Sequence, residues 1–305
     1  MDINVLFSQM VILVSLMVVG FVVRRRGILD DIANGYLTKL MLRVTLPATV
    51  TASITGAPID VPRGDVPFLF FIIFLTFVIL CVISWIVAKL CRVSQYERGA
   101  YVAMGMFSNV NFMSIPLVAA MFGPEGMLFG ILYNIVFNLI IFSFGMKLVG
   151  GERAKISLKF FFSPVMIAGL FSVTLFMIDV QLPATIHSSL SLLGSATTPI
   201  AMLLLGSILG AMKIKEMFQG VNIYIISLVR LVIGPVAVLF FLRLFTTLDP
   251  LFVQVVMVMG ATPMAISIAT FALNYEQHQK LIGKGIFIST LMSIAALPLL
   301  LGFLL

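Results

Sequence analysis

Ten apolar stretches, each about long enough to cross a lipid bilayer as a helix, follow one another along this chain and constrain its fold more than any other feature. A transmembrane helix needs about 20 predominantly apolar residues. Only 10% of the residues are charged, whereas soluble domains carry about 25%. We therefore predict an all-α membrane protein with ten transmembrane helices. These predicted spans 1 to 10 cover residues 3–23, 33–54, 66–90, 98–122, 125–148, 163–179, 184–211, 221–246, 250–273 and 281–304.

Lysine and arginine are concentrated on one side of the predicted membrane. Fourteen of the 19 basic residues fall near the connections after spans 1, 3, 5, 7 and 9, and only Arg63 and Arg243 fall on the opposite side. Because basic residues remain in the cytoplasm, we expect a multi-pass plasma (inner) membrane protein with both termini on the extracytoplasmic side. The net charge of +7 then reflects topology, and no nucleic-acid partner is predicted.

The longest connection divides the ten spans into two sets of five. Since five is odd, the second set enters the membrane from the opposite side, which is the condition for an inverted-topology repeat. Pro47 and Pro199 lie at similar depths in the two halves, as do Pro116 and Pro263. The predicted organisation is a first five-helix repeat, a cytoplasmic linker and a second repeat, over residues 1–148, 149–162 and 163–305.

Span 4 contains side chains and a proline that are unusual at membrane depth, and span 9 contains a similar interruption. They are Ser108, Asn109, Asn111, Ser114 and Pro116 in span 4, and Thr262 and Pro263 in span 9. Because proline lacks an N–H group and collides with the preceding turn, we expect both helices to break at their prolines. Paired broken helices indicate the substrate site of a transporter, and the N–H groups after each break would suit an anion. The alternative is that the prolines only kink packed helices and the asparagines bond neighbouring helices.

Charged residues inside the spans are few, and none of them is acidic near a midplane. Arg230, near the middle of span 8, is expected either to attract an anionic substrate or to bond the exposed carbonyl groups of a broken helix. Lys39 and Arg43, near the cytoplasmic end of span 2, either extend to the interface or line a vestibule. The lack of intramembrane carboxylates disfavours a cationic substrate and a proton-relay pump.

Further polar side chains lie on the helices that follow the two interrupted spans. Asn134 and Asn138 are one helical turn apart on span 5 and share a face, which either borders the cavity or packs against another helix. Ser289 and Thr290 hold the corresponding place on span 10, with the same two alternatives.

Motifs of enzymes, metal sites and nucleotide hydrolysis are missing from the sequence. His187 and His278 have no ligand partner at useful spacing, and there is no HExxH, GxSxG or phosphate-binding P-loop. We therefore predict no catalytic residues, no metal and no cofactor.

Three groups of residues form recognisable motifs, namely Phe107–Val118 with Phe122–Gly126, Leu228–Pro235, and Thr262–Ala265 with Ile288–Pro298. Through them nearly the whole chain resembles the auxin efflux carrier family, which includes bacterial malonate and malate permeases. Where the family usually has glycine, this chain has Asn111 and Ser114, which make the interruption more polar. In plant members an asparagine seven residues before the span 4 proline contacts the substrate carboxylate, and that position is Asn109 here.

The resemblance also implies an architecture. It implies ten helices in two inverted repeats, with a scaffold from spans 1, 2, 6 and 7 and a transport part from spans 3–5 and 8–10, in which spans 4 and 9 cross at their prolines. It further implies a homodimer formed through the scaffold helices.

The sequence thus predicts a carrier that moves a small organic anion, such as malonate or malate, across the plasma membrane by alternating access. The alternatives are a non-transporting membrane sensor that uses the same pocket, and an intramembrane enzyme. The predicted substrate-binding residues are Ser108, Asn109, Asn111, Ser114, Pro116, Asn134, Asn138, Arg230, Thr262 and Pro263.

Overall fold

The computed structural model describes residues 3–55, 59–154, 162–211 and 217–304. Within these ranges all regular secondary structure is helical, apart from one isolated β-bridge, which confirms the all-α prediction. In chain order the α-helices are α1 Ile3–Arg25, α2 Asp31–Leu40, α3 Leu46–Thr55, α4 Val66–Leu90, α5 Gln95–Met106, α6 Ile115–Ile140, α7 Met146–Gly150, α8 Pro164–Met177, α9 Ala184–Ser195, α10 Thr197–Ala211, α11 Val221–Leu228, α12 Gly234–Leu242, α13 Pro250–Ala261, α14 Ile266–Asn274 and α15 Gln279–Leu304.

Three of four π-helical turns join successive α-helices directly, the fourth leads into α6 after a break, and two short 3₁₀ turns occur in connections. The π-helical turns are Met41–Thr45, Val110–Ser114, Ile141–Gly145 and Val229–Ile233, and the 3₁₀ turns are Arg63–Asp65 and Gly151–Arg153. Several helices of the α numbering are therefore consecutive parts of one longer helical rod.

Five helical stretches in the described part of the chain are long and apolar enough to cross a membrane. They are Arg63–Leu90, Val110–Arg153, Ala184–Ala211, Val221–Leu242 and Gln279–Leu300. Pro164–Met177 and Pro250–Ala261 are shorter apolar helices. These stretches fit a multi-pass membrane protein, whereas the ten spans in inverted repeats stay a prediction.

The stretch Val110–Arg153 bends sharply at Gly123, inside α6. Gly123 has φ 62° and ψ −158°, a conformation that only glycine adopts readily. The chain folds back beyond this point, because the Asn134 side-chain amide reaches the Asn111 amide oxygen on the other arm. The bend coincides with the predicted boundary between spans 4 and 5.

Span 4 is interrupted, but the prediction that it breaks at Pro116 is wrong. Pro116 lies at the second position of α6, in a continuous helical segment that begins with the π-helical turn Val110–Ser114. The interruption comes earlier, at residues 107–109. We attribute this to the π-helical turn, whose wider hydrogen-bonding pattern accommodates a residue that has no N–H group and collides with the preceding turn.

The same arrangement recurs twice elsewhere in the described chain. In all three cases a π-helical turn ends two residues before a proline. The turn ends and the prolines are Thr45 and Pro47, Ser114 and Pro116, and Ile233 and Pro235. Proline in this protein is thus compatible with helical continuity where a widened turn precedes it.

The chain forms two compact units, each built from three chain segments. The first unit contains Met1–Leu69, Asn111–Ile135 and Lys159–Met212. In it α1 packs closely along α10. Gly20 faces the backbone of Leu203 and Gly206 faces the backbone of Met17, with no room for a Cβ atom at either glycine. Close contact through glycine is a common way to pack membrane helices.

The second unit contains Phe70–Val110, Val136–Leu158 and Lys213–Leu305. Its core includes the buried rings of Phe77, Phe107 and Phe137, whose centroids lie 6.0–6.4 Å apart. The predicted repeats divide the chain by sequence order and symmetry, so they are a different division from these two compact units. That division, and the partition into scaffold and transport parts, stay predictions.

Candidate functional site

Two interrupted helices lie side by side in the second unit. α5 ends at Met106 and α13 ends at Ala261. The segments that follow form an antiparallel β-bridge between Ser108 and Met264, and both of these residues are fully buried. We call residues 107–109 and 262–265 together the crossing. Span 9 is therefore interrupted around its proline, as predicted, and the two interruptions meet.

Backbone hydrogen bonds hold the two sides of the crossing together. The Asn109 N–H group donates to the Pro263 carbonyl at 2.8 Å, and the Ala265 N–H group donates to the Phe107 carbonyl at 3.0 Å. Unwound backbone is tolerated at membrane depth only when its polar groups are satisfied by protein or by a water-filled cavity. Here each interrupted helix supplies partners for the other.

The N–H groups next to the breaks are largely engaged within the protein. Besides those of Asn109 and Ala265, the Val110 N–H group donates to the Ser108 carbonyl, and the Met264 N–H group donates to Ser289 Oγ at 3.1 Å. The sequence analysis expected such donors to be available to an anion. Because these four are occupied, side chains are better placed than backbone amides to contact a ligand.

Arg230 closes the end of α5. It lies in the π-helical turn Val229–Ile233 with 0% of its surface exposed. Its Nη1 donates to the Met106 carbonyl at 2.9 Å and to the Gly105 carbonyl at 3.3 Å. The last carbonyls of a helix lack partners within it, and a cation there is also favoured by the helix dipole. Of the two roles expected for Arg230, these contacts match the structural one.

The second unit also contains most of the other predicted site residues. Ser108, Asn109, Thr262 and Pro263 all lie in the crossing, and all four are buried. Thr262 donates from Oγ1 to the Met259 carbonyl at 3.5 Å, within the last turn of α13. Asn138 is buried in the same unit. The crossing thus combines one amide and two hydroxyl side chains with a guanidinium group at the end of α5.

Four predicted site residues lie instead in the first unit. Asn134 Nδ2 donates to Asn111 Oδ1 at 2.7 Å. Each of these asparagines therefore makes at least one hydrogen bond to a neighbouring helical segment, as the packing alternative expects. Ser114 and Pro116 lie on the same arm as Asn111, and Ser114 is fully buried.

A cavity in the first unit was not predicted from the sequence. It has a volume of about 440 Å³. It is lined by hydroxyl, imidazole and small side chains, namely Thr49, Ala52, Ser53, Ala119, Ala120, Pro124, His187, Ser191, Gly194, Ser195 and Thr198. Within its wall, Thr49 Oγ1 donates to the Gly194 carbonyl at 2.9 Å, and His187 Nε2 lies 3.2 Å from the Ala52 carbonyl oxygen.

One sequence signal was available for this cavity. Thr49 and Ser53 are four residues apart on span 2, and Ser191 and Ser195 are four residues apart on span 7. Residues four apart share a helix face, so each apolar helix carries a short hydroxyl stripe. The signal is weak, because uncharged serine and threonine residues are common in membrane helices that line no cavity.

Comparison with known proteins gives one family and several relatives. A family model described as "Membrane transport protein" matches residues 5–159 and 153–301. The chain is 26% identical to an "Uncharacterized transporter" of Methanocaldococcus jannaschii over 297 residues, which cover 94% of this chain and 95% of that protein. It is 24% identical to a second "Uncharacterized transporter", from Methanothermobacter thermautotrophicus, over 93% of both chains. It is 23% identical to a "Putative malonate transporter" of Rhizobium meliloti, over 86% of this chain and 84% of that one.

Proposed function

Because this chain belongs to the membrane transport protein family, the auxin efflux carrier family that its span 4 motif resembles, we propose that it is a secondary or facilitative carrier of a small organic anion. The substrate class is a small carboxylate such as malonate or malate, carried across the plasma membrane by alternating access. The relative named as a putative malonate transporter supports this class.

The observation that carries the proposal is the crossing itself. It buries the Asn109 amide and the Ser108 and Thr262 hydroxyls beside two interrupted helices. Amide N–H and hydroxyl groups donate hydrogen bonds to a carboxylate, and the crossing segments contain no aspartate or glutamate that would repel one. Asn109 is the proposed primary contact, as the family resemblance implies.

Arg230 has an indirect part in this proposal. Its Nη1 is held by carbonyl oxygens at the end of α5. A buried cation raises the electrostatic potential around it more strongly than the same charge in water. Arg230 therefore favours an anion at the crossing through its field, while its contacts fix the broken helix.

The proposed carrier has ten spans in two inverted five-helix repeats. The family match in two segments of similar length supports the repeat. So does a shared feature of the two halves: the span that follows each interrupted span bonds back to it, through Asn134 to Asn111 and through Ser289 to Met264. A scaffold from spans 1, 2, 6 and 7, a homodimer through that scaffold and extracytoplasmic termini complete the proposal.

Transport by proteoliposomes tests the proposal. Uptake of labelled malonate, malate, succinate and acetate is measured for wild type, Asn109→Ala and Asn222→Ala. Asn222 is a matched control, because its amide lies outside the crossing and donates to a loop carbonyl, that of Cys91, at 3.4 Å. Losing one hydrogen bond to a charged substrate group costs about tenfold or more in rate. We expect Asn109→Ala to remain folded and to lose at least that much, and Asn222→Ala to retain wild-type uptake.

The uptake results distinguish an error in the proposed function from an error in the proposed binding site. If wild type moves none of these anions faster than empty liposomes, the proposed function is wrong. If wild type moves one of them and Asn109→Ala moves it equally fast, the crossing is not the binding site, and the cavity of the first unit is tested next with Ser53→Ala and Ser191→Ala. Specific binding without flux would instead favour the membrane sensor.

A further inference from the structure

The helix α2 carries an exposed apolar stripe. None of its ten residues is buried. Ile32, Tyr36 and Leu40 in α2 and Val44 in the following π-helical turn are spaced four residues apart and lie along one helical face. Exposure falls along this stripe from 69% at Ile32 to 41% at Val44. A face of this kind is costly in water and is stable at the boundary between lipid headgroups and acyl chains.

A row of basic residues runs beside the stripe. Lys39 and Arg43 are also four residues apart, and both are exposed. The Lys39 ammonium nitrogen lies 5.6 Å from the centre of the Tyr36 ring, so its charge is held next to the apolar stripe. An apolar face bordered by lysine and arginine is typical of a helical segment at the level of the lipid headgroups, which fits the start of predicted span 2, where Lys39 and Arg43 can extend to the interface.

Local contacts fix the direction in which α2 leaves α1. Arg24 Nη2 lies 2.6 Å from Asp31 Oδ1, and Arg24 Nη1 donates to the Leu29 carbonyl at 3.4 Å. Asp30 caps the helix by accepting a hydrogen bond from the Ala33 N–H group at 2.7 Å. The two aspartates are therefore used for the ion pair and the cap. Among residues 24–43 five are basic and two are acidic, so the surface is positively charged.

We propose that this surface binds anionic phospholipid. Lys39 and Arg43 contact the lipid phosphate, and the stripe from Ile32 to Val44 contacts the glycerol and upper acyl region. A second copy of the chain fits this face less well, because a two-fold interface here would bring two basic rows together, so the proposed scaffold homodimer would form through other faces of its helices. The proposal concerns lipid and does not depend on the transported substrate.

Lipid binding to the purified full-length protein in neutral detergent tests the proposal. Phosphatidylglycerol, phosphatidylcholine and soluble glycerol phosphate are added separately, and bound lipid is counted by native mass spectrometry while the melting temperature is recorded. Each surface lysine or arginine favours anionic lipid by about fivefold. We expect wild type to retain phosphatidylglycerol and to melt higher with it, and the double variant Lys39→Gln/Arg43→Gln to bind it about 25-fold more weakly.

The control is the double variant Lys280→Gln/Lys284→Gln. These lysines have the same spacing at the start of α15, but the adjacent residues Leu281 and Ile282 are half-buried and buried rather than exposed. We expect this variant to bind phosphatidylglycerol as wild type does. Equal binding by Lys39→Gln/Arg43→Gln, an equal effect of phosphatidylcholine, or an equal effect of glycerol phosphate would each overturn the proposal. So would efficient disulfide cross-linking of Ile32→Cys between two copies in native membranes, because a second copy would then cover the stripe.

Discussion

Arg230 and Met106 are 124 residues apart in the chain and are joined by a hydrogen bond of 2.9 Å from the Arg230 guanidinium to the Met106 carbonyl. This bond connects the arginine of span 8 to the point where span 4 is interrupted. It gives a physical reason for a fully buried charge in an apolar helix, because a helix that ends inside the protein needs donors for its last carbonyls.

Replacement of Arg230 by glutamine is expected to destabilise the protein. The variant loses the cation at the end of α5, and a buried hydrogen bond to a charged group contributes about 1.5–3 kcal/mol. The melting temperature in detergent measures this. Arg243→Gln, at an exposed arginine after α12, is the control and should melt as wild type does. An Arg230→Gln protein with the wild-type melting temperature would show that the contact with Met106 does not stabilise the fold.

Replacement of Gly105 by alanine is expected to displace the end of α5. A Cβ atom at Gly105 would collide with the Ser84 side chain and would lie 2.8 Å from Ile226 Cδ1. Overpacking of this kind costs about 1–3 kcal/mol. Gly283→Ala is the matched control, because no atom lies within 4 Å of a Cβ there, and alanine stabilises an open helical position by about 0.5–1 kcal/mol. Melting temperatures should therefore move in opposite directions, and a parallel change would contradict the packing argument.

Replacement of Ser289 by alanine is expected to loosen the crossing. Ser289 Oγ accepts from the Met264 N–H group at 3.1 Å, whereas Ser293 Oγ, equally buried, donates to the Thr290 carbonyl of its own helix. Hydrogen exchange of peptides that contain Met264 reports the difference. Ser289→Ala should exchange faster there by about fivefold, the effect of losing about 1 kcal/mol, and Ser293→Ala should not. Equal exchange in both variants would show that the bond between the Ser289 hydroxyl and the Met264 N–H group does not stabilise the crossing.

The pH dependence of stability is expected to depend partly on His278, which lies in the connection between α14 and α15. Burial lowers the pKa of its imidazole below the ordinary 6.5, and the Glu97 carboxylate opposes this shift in part. A lowered pKa means that the folded state favours the neutral ring, so its contribution to stability is present above about pH 6.5 and is lost as the pH falls below it. His278→Phe keeps a ring beside Tyr96, whose centroid lies 4.5 Å away. The melting temperature of this variant should fall less than that of wild type between pH 7.5 and 5.5, and an equal or larger fall would contradict the assignment.

The sequence by itself determined the class of protein and distinguished the polar residues that are unusual in its apolar spans. Apolar stretches of about 20 residues are typical of transmembrane helices, because a helix satisfies all its backbone hydrogen bonds within itself where lipid offers no partners. The polar residues of spans 4 and 9 and Arg230 stand out for the same reason. Ser108, Asn109, Thr262 and Pro263 lie in the crossing, and Arg230 bonds the end of α5 that precedes it. The local motif was also sufficient to identify the family, as the match over residues 5–159 and 153–301 confirms.

Only the tertiary structure decided how these residues are used. Pro116 lies in a continuous helix while Pro263 lies in a break, because the effect of a proline depends on whether the preceding turn widens. Asn111 bonds Asn134 and Arg230 bonds Met106, and the partners of a polar side chain are set by distant segments that local sequence does not specify. The cavity of the first unit likewise depends on how separate helices approach one another. Its serine and threonine residues are common in membrane helices, and only the packing of those helices brings their hydroxyl groups together.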